Sequence, residues 1–416
     1  MAKKTSSCET IFVARQPVFH PDENVWGYEL LFRSSDDNFA LINDESQATS
    51  SVIADGLAMA MTGMDLDTKI LINFPEQMLI DNAGFALPRE NCVVEILENV
   101  TPNKKTLRAT QKLKDAGYTI AVDDYFGQSQ LKPFIELADI VKVDILELAT
   151  DFEKIEKTIQ GLPQGVKLLA EKVEDQGTFE ALAEMGFDLF QGFFFSRPEI
   201  IPGKKLTSNE LTKLQLLGEL SNVDFEPVRL SEILQSDPHL SFRLLRYINS
   251  VGFGLQQSVT SLKRAIDMLG MVQAKQWLRS TILADLNPSP KAGELAYLSV
   301  HRAKFLESVC TITRLEGCDS DILFIAGLFS LLDTMLGLSM EDILNMLPLD
   351  DRIVNGLQGH GEISQLLQLA TSYERGKWDE TADQLSRLGV DSFEAELIYV
   401  RARSWTQEIL GFSKPC

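Results

Sequence analysis

At 416 residues the chain exceeds a single hydrophobic core of usual size, so two domains are expected. A content of 44% hydrophobic and 24% charged residues is that of a globular protein. The formal charge of −21 excludes non-specific nucleic-acid binding and polybasic membrane contact, yet permits an anionic small molecule held by a metal ion and a few local cations.

In chain order, MAKKTSSCET has no apolar stretch of the kind a signal peptide needs, and no later run approaches a membrane span. Candidate strands follow at Phe12–Val18 and Val25–Phe32, then at KILINF (Lys69–Phe74), CVVEILE (Cys92–Glu98) and TIAVDDY (Thr119–Tyr125). IVKVDIL (Ile140–Leu146), VKLLAEKVE (Val166–Glu174) and LFQGFFF (Leu189–Phe195) complete the set. Between them, TLRATQKLKDAG and TFEALAEMG have helical period and end in a glycine suited to a helix C-terminus. Near-continuous apolar strands alternating with helices predict parallel strands covered on both faces. With about eight of them, a (β/α)8-like barrel is favoured over an open doubly wound sheet. GxGxxG and P-loop patterns are absent from the sequence.

Regular structure breaks at RPEIIPGKKLTSNE, Arg197–Glu210, which places a boundary near 202/203. Beyond it, LSEILQSDPHLSFRLLRYINSVG, SVTSLKRAIDMLGMVQAKQWL, HRAKFLESVCTITRLEG and FEAELIYVRARSWTQEIL carry apolar residues at three- and four-residue spacing. They predict a helical bundle spanning 203–416 after a barrel spanning 1–202. Cys8, Cys92, Cys310, Cys318 and Cys416 are scattered and odd in number, which reads as free thiols in the cytoplasm.

The polar residues of the first part collect at predicted strand ends: Glu29, Asn73, Glu95 with Glu98, Asp123 with Asp124, Lys142 with Asp144, Glu171 with Glu174, and Gln191. In a barrel those ends share one face. One adjacent Asp pair could cap a helix, but charges repeated in strand after strand need another reason. Oxygen donors without histidine or cysteine suit Mg²⁺ or Mn²⁺, and two such ions would support in-line attack on a phosphodiester.

These segments resemble the EAL domains, bacterial phosphodiesterases that linearise cyclic di-GMP. RQPVFHPDENVWGYELLFR, ILINF, VVEILE, AVDD, VKVD, AEKVE and FQGFFFSRP match that family's segments in order. The resemblance implies Glu29, Asn73, Glu95, Asp123 and Asp124 as metal ligands, with Lys142 and Glu171 activating water and Glu98 steadying the catalytic loop. It implies Gln16, Arg33, Asp144 and Gln191 as substrate contacts. Three departures stand out: the signature alanine is Leu30, the glycine of EGVE is Lys172, and the DDFGTGYSSL loop is a shortened DDYFGQSQL with one glycine fewer. Loss of that glycine removes backbone freedom, so the expectation is weak or absent hydrolysis.

The second part, through FEPVRLSEILQSDPHLSFRLLRYINSVGFG, VTSLKRAIDMLG and FIAGLFSLLDTMLG, is similar to HDOD domains, helical relatives of the HD phosphohydrolases. Where an HD enzyme carries His-Asp, this chain has Ser330 and Leu331, and its histidines in this half are His239, His301 and His360. A non-catalytic module engaging an unknown signalling protein follows from that resemblance. Three readings result: a cyclic di-GMP sensor or scaffold, with homodimers a possible form; an active Mg²⁺/Mn²⁺ phosphodiesterase giving the linear dinucleotide; and an interaction protein whose acids are relics.

Overall fold

The computed structural model describes residues 11–34, 68–197, 206–222, 224–249, 259–286, 291–313 and 319–410. The chain forms two compact units, Met1–Arg197 with Glu374–Trp378, and Pro198–Tyr373 with Asp379–Cys416.

The first unit holds a closed eight-stranded barrel. Its strands are β1 (Ile11–Phe19), β2 (Val25–Ser34), β3 (Lys69–Phe74), β4 (Cys92–Ile96), β5 (Thr119–Tyr125), β6 (Ile140–Asp144), β7 (Lys167–Glu171) and β8 (Leu189–Gln191). Strands β2 to β8 are parallel, as the alternation of apolar runs and helices led us to expect. β1 departs from that expectation and runs antiparallel to both β2 and β8. The reason is local: His20–Asn24 is too short for a crossover and admits only a hairpin between β1 and β2.

A belt of apolar side chains fills the barrel interior, with Val18, Leu71, Val93, Ala121, Ile140, Leu169 and Leu189 each 1% exposed or less. Because side chains alternate along a strand, the next inward position lies two residues on. In β3 to β8 that position is Asn73, Glu95, Asp123, Lys142, Glu171 and Gln191. The apolar belt therefore sets the inward register of all the polar residues at once. On the opposite faces of the strands, Ile72, Val94, Ile120, Val122 and Val141 are each 1% exposed or less.

Several strands end sooner than their apolar runs predict. β7 stops at Glu171 because Lys172 turns to a left-handed φ of 57°. β8 stops at Gln191 because Gly192 takes φ 148°, where a Cβ would meet the Val173 carbonyl oxygen at 2.0 Å. The expected helix C-terminal glycines, Gly117 and Gly186, have φ of 89° and 92°.

The second unit is helical among its described residues. Its helices include Ala292–Thr313, Ser392–Leu410, Met271–Ala284, Ser208–Ser221 and Ser320–Phe329. Fully buried Arg279 hydrogen-bonds the Leu220 carbonyl through Nη2 at 2.6 Å and forms a forked pair with Asp321 at 2.7 and 3.2 Å. It thereby joins three helices through four hydrogen bonds of its guanidinium, Nε also donating to the Leu220 carbonyl at 3.1 Å. His301 is buried, with Nε2 3.2 Å from the Tyr399 carbonyl and its ring parallel to Tyr297. Cys310 is disulfide-bonded, a correction to the expectation of free thiols throughout, whereas Cys92 is a buried free thiol. The spacing of the five cysteines carried no signal for that bond. Among the described residues, no helix is long and apolar enough to cross a membrane.

Candidate metal-binding site of the barrel

At the carboxyl ends of the strands, the polar residues converge on Lys142. Its ammonium lies 3.2 Å from Glu29 Oε2, 2.8 Å from Asp123 Oδ1 and 2.9 Å from Glu171 Oε1, and also contacts Glu95. Four strands besides its own thus surround one side chain that is 1% exposed. Asn73 donates to Glu29 Oε1 at 3.1 Å, and Gln191 donates to Glu29 Oε2 at 2.6 Å and to Gln16 Oε1 at 3.0 Å. Of the sequence-predicted residues, Glu29, Asn73, Glu95, Asp123, Lys142, Glu171, Gln191 and Gln16 therefore form one connected cluster.

Asp124, Glu98 and Asp144 stand at its rim. Asp124 takes a left-handed φ of 45°, at a point where the pairing of β5 with β6 is irregular, and so faces away from Asp123's direction. Glu98 is exposed, beyond the end of β4, and offers an oxygen within 4.8 Å of others from Asp123 and Asp124. Asp144 is buried and accepts the Leu146 and Glu147 amides at 2.9 and 3.0 Å. The side chain of Arg33 lies outside the described residues. The shortened loop is pinned by Gln128, which donates to the Asp124 carbonyl and accepts the Phe126 amide, each at 2.7 Å, while the remaining Gly127 takes φ 111°.

Charge is distributed unevenly. Burial pushes Glu95 and Glu171 well above the ordinary carboxylate range; neighbouring carboxylates reinforce the shift and Lys142 opposes it. Burial pushes Asp123 the same way, but the Lys142 charge and hydrogen bond outweigh it and hold Asp123 low. Burial works against the Lys142 ammonium, yet the surrounding carboxylates raise its pKa well above the usual lysine value. At the rim, burial and the Asp123 charge raise Asp124 against the pull of Lys172.

The donors fit a hard divalent cation. All are oxygens, and Asn73 Oδ1, Glu95 Oε2 and Glu171 Oε2 are buried with no hydrogen-bond partner. Two groups of carboxylate oxygens close enough to share an ion occur among the described residues, Glu29/Glu95/Glu171 inside and Glu98/Asp123/Asp124 outside. The helical unit contains no such group among its described residues. His239 and His360 are exposed, and Ser330 hydrogen-bonds the Gly327 carbonyl and Arg302.

The sequence left open whether Lys172 blocks the pocket or replaces the charge of a metal ion. Lys172 binds Asp124 at 2.9 Å and also contacts Asp144. Its place one residue after Glu171 was the available signal, but its direction depends on the left-handed backbone.

A closed barrel of this topology followed by a helical module defines a two-domain class, and comparison with known sequences agrees. The EAL domain model matches residues 5–198 and the HDOD domain model matches 209–340. The chain belongs to the EAL–HDOD family. It is 32% identical over 406 residues to the cyclic di-GMP phosphodiesterase CdgJ of Vibrio cholerae, covering 96% of this chain and 93% of that one. It is 31% identical over 409 residues to the uncharacterised protein YuxH of Bacillus subtilis, covering 96% and 99%. Among solved structures, an EAL domain protein of Listeria monocytogenes matches at 26% identity and a TM-score of 0.38, covering 47% of this chain and 94% of that one. A manganese/cyclic di-GMP complex of Klebsiella pneumoniae BlrP1 matches at 26% identity and a TM-score of 0.35, covering 47% and 57%.

Proposed function

We propose that this is a cytoplasmic signalling protein whose barrel, residues 1–202, binds cyclic di-GMP over a Mg²⁺ or Mn²⁺ site, and whose helical domain, 203–416, passes that state to a protein partner. The observation that carries the reading is the set of buried, unpartnered oxygens of Asn73, Glu95 and Glu171 around a single ammonium. A phosphate-bearing ligand with its metal would give those oxygens the positive charge that Lys142 alone does not supply. In this reading Glu29, Asn73, Glu95, Asp123 and Asp124 hold the metal, and Gln16, Arg33, Asp144 and Gln191 contact the nucleotide. Gln191, already donating to Glu29, would orient that carboxylate as well as meet the ligand. The rewritten loop and the Lys172 pairs support binding with weak or no hydrolysis, since turnover depends on the shell that holds the ligands.

A second reading, active phosphodiesterase, is favoured by the convergence of Glu29, Glu95, Asp123 and Glu171 on Lys142 and by a relative, matched over 93% of its length, that is named for that activity. The divalent ion, when bound, supplies Lewis acidity at the phosphoryl oxygen. Glu171 would accept the proton of the attacking water, while Lys142 would hold negative charge on the oxygens beside it.

The test is to incubate the protein with cyclic di-GMP and Mn²⁺ and to quantify substrate and linear product by chromatography, followed by an affinity titration. Tight binding with little product supports the first reading. Product that vanishes in Glu29→Ala supports the second. A dissociation constant in the millimolar range or weaker without product would leave a scaffold.

A further inference from the structure

Lys172 is held in a conformation that its side chain disfavours. A left-handed φ costs a non-glycine residue about 1–2 kcal/mol, and such strain persists where the surroundings over-determine it. Here the result is an ammonium that bridges Asp124 and the buried Asp144. Asp144 is further committed to two backbone amides, which keeps it from swinging away.

The inner and outer acidic groups therefore differ in charge. Inside, the carboxylates of Glu29, Glu95 and Glu171 face one ammonium, Lys142, which also reaches Asp123 of the outer group. Buried oxygens of Glu95, Glu171 and Asn73 remain without partners there, and their residues lie around the same centre. Outside, two carboxylates, Asp124 and Asp144, face Lys172, and Glu98 is exposed to water. An ion approaching Asp124 must displace an ammonium anchored by the backbone next to Glu171, and repulsion between the two cations opposes their sharing the carboxylate.

We propose that Lys172 is a built-in cation standing where a second divalent ion would sit, so that the barrel takes one divalent ion, at the inner donors, rather than two. This rests on reading the barrel as a divalent-ion site. Its consequence for chemistry is direct. An ammonium neutralises charge and donates hydrogen bonds, but it does not lower the pKa of a bound water as a divalent ion does. The site keeps ligand-binding charge while losing half of a two-ion clamp.

The experiment uses full-length protein stripped with EDTA and titrated with Mn²⁺. Bound metal is counted after equilibrium dialysis and its spectrum recorded by electron paramagnetic resonance, for wild type, Lys172→Gly and Lys172→Met. The glycine relieves the backbone, whereas the methionine keeps the bulk and removes the charge. One ion per chain with an uncoupled six-line signal is expected for wild type. Both variants should take a second ion and show the coupled signal of two Mn²⁺ about 3.5–4 Å apart. The second ion should bind them about a hundredfold or more tightly than wild type, the scale set by removing an adjacent positive charge. Two coupled ions in wild type at the variants' affinity overturn the proposal whatever the variants do, and so does a single ion in all three proteins. No tight Mn²⁺ binding in any of them overturns the divalent-ion reading itself.

Discussion

Replacing Lys142 with methionine removes the positive charge at the centre of the barrel while keeping most of its volume. Each carboxylate at about 3 Å interacts with the ammonium by about 5 kcal/mol at an effective dielectric constant near 20. Most of that sum offsets the desolvation of the five groups, so the net loss is what breaking a buried ion pair costs, about 3–5 kcal/mol. For a barrel of this size that is a fall of about 10 °C in melting temperature. The pH dependence gives the effect its signature. Glu95 and Glu171 are already raised above their ordinary value of 4.5, first by burial, and loss of Lys142 removes the influence opposing that rise. A carboxylate whose folded pKa is raised contributes stability that is complete below its unfolded pKa and is lost as pH rises through the folded one. The gap between Lys142→Met and wild type should therefore be smallest near pH 4–5 and widen towards pH 8. The assay is urea unfolding followed by circular dichroism in EDTA across that range. A gap below about 1 kcal/mol at pH 7.5, the value of an exposed pair, would refute this account, as would a gap that narrows with rising pH.

Other outcomes are equally concrete. Mn²⁺ at about a hundred times its dissociation constant should stabilise the wild type by about 2.7 kcal/mol, and Glu95→Gln should lose most of that gain in a thermal melt. Arg279→Met should destabilise the helical unit by about 3–5 kcal/mol because Asp321 and the Leu220 carbonyl lose a buried partner, read as a lower urea midpoint; a change within 0.5 kcal/mol would remove the assigned role. Burial pushes the Cys92 thiol from 9.0 up to about 12, so stability from this group is complete below pH 9 and lost as pH rises towards 12. Peptide mapping after iodoacetamide treatment at pH 8 should find Cys92 labelled about a thousandfold more slowly in folded than in unfolded protein, because the thiolate is the reacting form. Comparable rates would show that the site opens readily.

The barrel was legible because near-continuous apolar runs alternate with helical stretches, and the site because each run carries a polar residue near its carboxyl end. The helical unit was legible from its stripes of Leu, Ile and Phe. The direction of β1 was not, because an antiparallel strand and a parallel one have the same alternation, and the decisive feature was the length of the turn after Phe19. Strand lengths were overestimated at β7 and β8 because Val173 and Phe194 are buried outside the sheet as fully as if they were in it. Lys172 resisted reading for a different reason. Its partners, Asp124 and Asp144, are 48 and 28 positions away, and its direction is set by one backbone angle.

The Glu29–Gln191 hydrogen bond joins residues 162 positions apart, and Lys142 reaches Glu29 across 113. No early fragment of the chain contains the assembled centre: a nascent polypeptide ending before β8 lacks the donor that orients Glu29 and the strand that completes the cylinder. Contacts of such sequence separation form late and slowly. Until then, carboxylates destined for one buried point repel one another in a chain whose charges are already predominantly negative. Ligation by a divalent ion would thus coincide with barrel closure, making metal uptake a physical mark of a completed barrel, with the helical unit still to follow in the chain.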